Sequence, residues 1–166
     1  NNIALGNSAM DALTTGALNV AMGLHALGAA TTGGQNIAIG CMAMGTAVVT
    51  GSDNIALGQY TMDAVTCGAC NISIGKNSFS GATTGCFNIA LGYEALSSET
   101  LGDVSVAIGH GALKTQNFTS GTDVYNVAVG HNAGGAVTTG ANNTLIGYQA
   151  GDALTTGSSN VAVGYG

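Results

Sequence analysis

Few residues in this chain could carry out chemistry, and their spacing limits what they could do. There are four cysteines, Cys41, Cys67, Cys70 and Cys86. Cys67 and Cys70 form a single C-x-x-C, and a zinc site of this type needs a second pair. The histidines are His25, His110 and His131. Asp11, Asp63 and Asp152 do not come as closely spaced carboxylate pairs, so glycosidase chemistry has no support. The chain lacks a phosphate-binding loop, a nucleophile elbow and the calcium-binding nonapeptide pattern. These absences predict a protein that is not an enzyme and needs no cofactor or metal. Glycosylation sequons begin at Asn71, Asn117 and Asn142. Of these, only Asn117 lies in an irregular stretch where a glycan would fit.

Composition narrows the choice further. The chain has 166 residues, 28 of them glycine and none proline, and only 6% are charged. An ordinary domain has roughly 25%. With two basic residues and a net charge of −6, it has no clustered cations for a nucleic acid. An apolar content of 46% argues against disorder. No apolar run reaches the roughly 18 residues of a membrane-spanning helix, so membrane insertion is not expected.

A composition this biased points to internal repetition, and the repeat is plain. The string Asn-aliphatic-Ala-aliphatic-Gly recurs ten times. Its glycines are Gly6, Gly23, Gly40, Gly58, Gly75, Gly92, Gly109, Gly130, Gly147 and Gly164. Seven of the nine spacings are 17 residues; the units ending at Gly58 and Gly130 have 18 and 21. Asn opens the motif at Asn2, Asn19, Asn36, Asn54, Asn71, Asn88, Asn126, Asn143 and Asn160, and Ser105 replaces it once. Ala is replaced by Ser73 and Leu145, and the β-branched aliphatic before it by Thr144. A small-residue block follows each motif, with a larger apolar residue such as Met10, Leu27, Met44, Phe79 or Leu96. A Thr-Thr-Gly turn then leads to the next Asn.

Seventeen residues cannot hold a helix pair, but two short strands and two turns fit. Ile-Ala-Leu alternates with the period of a strand, and the following Gly permits a bend at positive φ. The small-residue block reads as a second strand. The predicted fold is therefore all-β: a parallel β-solenoid, or β-roll, of ten coils in one continuous domain over residues 1–166. At ~4.8 Å per step it would be about 43 Å long. Each column becomes a ladder. Ile3, Val20, Ile37, Ile55, Ile72 and Ile89 are expected to form one buried stripe, with Leu5, Met22, Ile39, Leu57 and Ile74 forming the next. The Asn column would form an amide ladder. The Ala column would face the other way, either against a second chain or into a crowded turn of its own chain; both readings stay open. Neither end shows a polar cap, which suggests a segment of a longer fibre or a protomer in a stacked filament.

On this register Cys70 and Cys86 fall on adjacent coils, one column apart. Their Cα atoms would be roughly 6 Å apart, within disulfide reach. A Cys67–Cys70 disulfide is the alternative, and unpaired thiols are a third. His110 and His131 share the column just after the motif Gly, together with Tyr93, Tyr148 and Tyr165. That column reads as a partly exposed rim, with a two-histidine metal site or a contact between symmetry mates as the sharper readings.

The repeat resembles the head repeats of YadA-type trimeric autotransporter adhesins. The stretch Asn88 to Leu96 (Asn-Ile-Ala-Leu-Gly-Tyr-Glu-Ala-Leu) and the stretch Thr139 to Gly151 are similar to repeats of phage tail fibres. The resemblance covers all ten units. It implies a left-handed homotrimeric β-roll on a virion tail fibre or bacterial cell surface. There it would act as an extracellular shaft supporting host attachment, and a receptor or glycan would be bound by a tip outside this segment. A self-assembling filament and an ice-binding solenoid are alternatives; the second would use the paired threonines.

Overall fold

The computed structural model describes all 166 residues, Asn1–Gly166. It is an all-β parallel solenoid. Ten three-residue strands make one parallel sheet: β1 Ile3–Leu5, β2 Val20–Met22, β3 Ile37–Ile39, β4 Ile55–Leu57, β5 Ile72–Ile74, β6 Ile89–Leu91, β8 Val106–Ile108, β10 Val127–Val129, β11 Thr144–Ile146 and β12 Val161–Val163. The irregular unit adds a two-stranded pair, β7 Gly102–Asp103 with β9 Thr122–Asp123. No helix is present, so none is long and apolar enough to cross a membrane.

Register follows the sequence motif position by position. Ile37 pairs with Ile55 and Ala38 with Ala56 across the 18-residue unit. Val106 pairs with Val127 and Ala107 with Ala128 across the 21-residue unit. Both insertions are therefore absorbed in turns. The single extra residue is taken up beside Val48, which is exposed.

The orientation of the strands reverses the expectation for the large aliphatics. Ala21, Ala38, Ala56, Ala90, Ala107 and Ala128 point inward and are fully buried. Their Ile, Val, Leu and Met neighbours point outward, and Ile39, Ile74 and Ile146 are exposed. The cause is the narrow coil. The opposite wall is filled by Leu27, Met44, Met62, Phe79, Leu96 and Leu113, all fully buried. Interiors are close-packed, so only a small side chain fits between that wall and the strand. Coil 9 shows the same constraint from the other side. Leu145 replaces the inward Ala, and the facing column becomes Gly134 and Gly151. A Cβ on either glycine would lie 2.7 or 2.8 Å from a Leu145 methyl.

The expected second strand is also absent: each coil closes through turns instead. Residues two and four places after the motif Gly take positive φ, as in Ser8 (53°) and Met10 (56°) or His25 (53°) and Leu27 (51°). This left-handed backbone prevents a continuous strand. Twenty-four non-glycine residues adopt it, at roughly 1–2 kcal/mol each. Hydrogen bonds between coils offset that cost. The N–H of Leu27 donates to Ala43 O at 2.9 Å, and that of His25 to Asn7 O at 2.9 Å. Bonds of this kind join the coils around the whole circumference, well beyond the strands.

Candidate functional site

The asparagine ladder runs inside the coil, and Asn36, Asn54, Asn71, Asn88, Asn126 and Asn143 are fully buried. Along the ladder Oδ1 accepts the main-chain N–H of the corresponding residue on the next coil, as in Asn36 N to Asn19 Oδ1 at 2.9 Å, Asn88 N to Asn71 Oδ1 at 2.9 Å and Ser105 N to Asn88 Oδ1 at 2.9 Å. Each Nδ2 donates to the carbonyl of a Thr-Thr-Gly-type turn glycine. Asn19 reaches Gly33 at 2.8 Å, Asn71 reaches Gly85 at 2.8 Å and Asn126 reaches Gly140 at 2.7 Å. Direct amide–amide bonds complete several rungs, such as Asn71 to Asn54 at 3.0 Å. The motif glycines supply the bend beside the ladder, with φ from 130° at Gly23 to 144° at Gly164. They also let the coils approach: a Cβ at Gly40 would lie 2.4 Å from Gly58 O.

Where Ser105 interrupts the ladder, a second buried network takes over. Glu99 and Gln116 are both fully buried. Oε1 of Glu99 accepts four main-chain N–H groups, from Thr100 (2.9 Å), Leu101 (3.2 Å), Gly102 (2.8 Å) and Phe118 (3.0 Å). Oε2 accepts from Gln116 Nε2 at 2.9 Å. Gln116 also donates to Ser105 Oγ at 3.1 Å and accepts from Asn126 Nδ2 at 2.8 Å, which restores the ladder above the break. Every buried side-chain polar atom has a partner. Sequence reasoning did not single out Glu99 or Gln116. The available signal was the coincidence of the one missing Asn with the one long unit.

Two outward features border the sheet. The first is the aliphatic face, two columns wide along all ten coils. The second is a ladder of exposed rings on consecutive coils, in the order Tyr93, His110, His131, Tyr148 and Tyr165. Ring centroids are 5.3, 4.8, 5.2 and 5.0 Å apart, and interplanar angles are 6° to 16°. The planes of His110 and His131 are nearly parallel, and imidazole lone pairs lie in the ring plane, so the pair does not converge on one ion. No three His, Cys, Asp or Glu side chains are grouped to hold a metal.

Next to the ladder, Lys114 Nζ lies 2.5 Å from Glu94 Oε2. The Lys114 ammonium, and after it the Tyr93 hydroxyl, hold the Glu94 carboxyl below its ordinary range. Glu94 in turn holds Lys114 above its own. On another coil, burial pushes Asp63 up.

All four cysteines are free thiols, so neither the Cys70–Cys86 nor the Cys67–Cys70 disulfide is formed. The register explains the first case. Cys86 stacks on Ala69, whose N–H donates to its Sγ at 3.4 Å, while Cys70 turns away in the left-handed conformation at φ 59°. Among the sequons, Asn71 is buried, Asn117 Oδ1 is engaged by Thr100 Oγ1 at 2.8 Å, and Asn142 is the exposed one. In the paired threonines, the first hydroxyl of several pairs bonds to the next coil, as in Thr14 to Thr31 O at 2.8 Å. That hydroxyl is not free to order surface water.

These features define the class as a parallel β-solenoid with an alanine-lined interior and an aliphatic outer face. A scan of protein-family models, a search of curated proteins and a search of solved structures each return no match.

Proposed function

We propose that the chain is a shaft segment of an extracellular or virion fibre, built by lateral association of identical solenoids into a homotrimer that supports host attachment. The observation that carries this reading is the outward aliphatic face. In a chain with 6% charged residues, Ile and Val of one column, with Thr144 the single polar member, and Leu, Ile, Met and Val of the next point outward along the full stack, half-buried or exposed. Contiguous exposed apolar surface on this scale marks an interaction site. The face repeats with the coil, so a partner with the same repeat would match it along its whole length. A second copy of the chain supplies that repeat. The resemblance to trimeric adhesin and tail-fibre repeats supports a stoichiometry of three and an extracellular setting.

Sedimentation analysis of the purified chain tests the assembly. Three chain masses are expected. Ile55→Glu together with Ile72→Glu should release folded monomers with an unchanged circular dichroism spectrum. A wild-type chain that stays monomeric at all concentrations would overturn the proposal.

A further inference from the structure

Beyond the shaft reading, and independent of it, one surface cleft stands out because its glycine gap is flanked by charges of opposite sign, whereas the gap at Gly28 and Gly45 in the same column has only Asp11 and Asp63 beside it. Lys114, Gly135 and Asp152 occupy one column on three successive coils. The bonds from Leu113 N to Ala133 O (3.0 Å) and from Gly134 N to Ala150 O (2.9 Å) fix that register. Gly135 leaves a gap one side chain wide, with a cation on the coil below and a carboxylate on the coil above. The resulting cleft is about 460 Å³, within the range of small-ligand sites. His110, Asn132 and Gln149 form its side wall.

The lining decides the ligand chemistry. Only one lining residue, Ala136, has an apolar side chain, so the carbon surface of the cleft is broken up by polar groups, which disfavours a lipid chain and suits a ligand with both C–H and O–H groups. Asp152 in the cleft and Glu94 on Lys114 disfavour a phosphate or sulfate. The remaining groups alternate hydrogen-bond donors and acceptors: an ammonium, two carboxamides, an imidazole edge and a carboxylate. Carboxamides and carboxylates can each engage two adjacent hydroxyl groups. His110 is held between Tyr93 and His131, so that wall is rigid before any ligand arrives, which lowers the entropic cost of binding. The ring faces are already stacked on one another, so a ligand would meet edges. We infer that this cleft binds a saccharide unit through hydrogen bonds to Asn132, Gln149, Asp152 and the edge of His110.

Two-dimensional NMR of the whole chain titrated with glucose, galactose, mannose and N-acetylglucosamine at millimolar concentration tests this. At least one sugar should shift resonances of His110, Asn132, Gln149 and Asp152 while leaving coils 1 to 5 unmoved. Gly135→Gln fills the gap; a Cβ there meets Asn132 O at 3.2 Å, which asks for a backbone shift of a few tenths of an ångström, and an unchanged circular dichroism spectrum checks that the fold holds. That variant and Asp152→Ala should each weaken binding roughly tenfold or more. The control Gln59→Ala, on the same rim but far from the cleft, should bind like the wild type. The inference is overturned by silence with all four sugars, by shifts spread along every coil, or by binding that Gly135→Gln leaves intact.

Discussion

Leu145 and its two glycines give the sharpest test of packing at the level of single side chains. Leu145→Ala should cost about 2–5 kcal/mol, because the facing glycines cannot fill the cavity it leaves. Adding Gly134→Leu, the residue that Leu113 already places one coil below, should recover much of that loss. A double-mutant cycle from denaturant melts measures the coupling; additive effects would contradict the packing described. Glu99 offers a second residue-level test. Glu99→Gln turns one oxygen into an NH₂ group facing the Gln116 donor and removes the charge that four N–H groups share. A loss of about 1.5–3 kcal/mol is expected. Glu94 makes a pH prediction. Its pKa is lowered in the folded chain, so the stabilisation it contributes is present at neutral pH and is lost as pH falls below the ordinary 4.5. In a carbon-detected NMR titration Glu94 should show a midpoint below 4.5, and Lys114→Ala should raise it.

At the scale of the coil, the asparagine ladder joins one strand to the next turn. Asn71→Ala would leave the Asn88 N–H and the Gly85 carbonyl buried without partners. A loss of about 1–3 kcal/mol per orphaned group is expected, far more than Asn7→Ala, at an exposed position outside the left-handed region, should cost. Thermal melts of the two variants separate these outcomes. The spacing of Asn2 to Asn160 made the ladder and its register legible from sequence, because identical residues at identical spacing can only stack. The direction of the Ala column was not legible in the same way. Alternation shows that Ile and Leu share one face and Ala the other, but says nothing about which face is inside. The usual assumption that large apolar side chains are buried fails when a coil is too narrow to admit them. The left-handed residues were hidden for another reason. Asn77, Gly111 and Asn132 are types that favour positive φ, but Ser8, Met42 and Tyr60 share their column and are not, so the column as a whole carries no consistent signal and hydrogen bonding between coils holds Met42 and Tyr60 in that conformation.

At the scale of the molecule, the fold inverts the usual partition of apolar side chains. Alanine, one larger residue per coil and a few valines (Val49, Val65, Val124 and Val137) fill the interior, and the β-branched residues of the strands are left for a surface. The candidate site was legible only in part. The ring column containing His110 and His131 was visible from spacing, whereas the cleft depends on Gly135 lying between Lys114 and Asp152 once the 21-residue unit has been absorbed. Lys76 and Lys114 are the only two basic side chains, so trypsin has two cleavage points on the whole structure. Lys114 is ion-paired and Lys76 sits on a stacked coil. Digestion of the folded protein should therefore leave the chain largely intact over times that cleave it completely in denaturant; rapid cutting at Lys76 would mean the coils open locally.

The bonds that join coil to coil run along the solenoid axis and are repeated at every step. A tensile load applied to the two ends of one chain therefore falls on these bonds in series, and the terminal coil, held on one side only, yields first. Each released coil frees 17 residues, which extend to about 58 Å where they once rose ~4.8 Å. Pulling a single molecule should give a regular sawtooth of small, nearly equal steps, interrupted by one longer step at the 21-residue unit. Such a solenoid would absorb a sudden pull by unwinding a coil at a time, and would shorten again as each coil re-templates on the one beneath it.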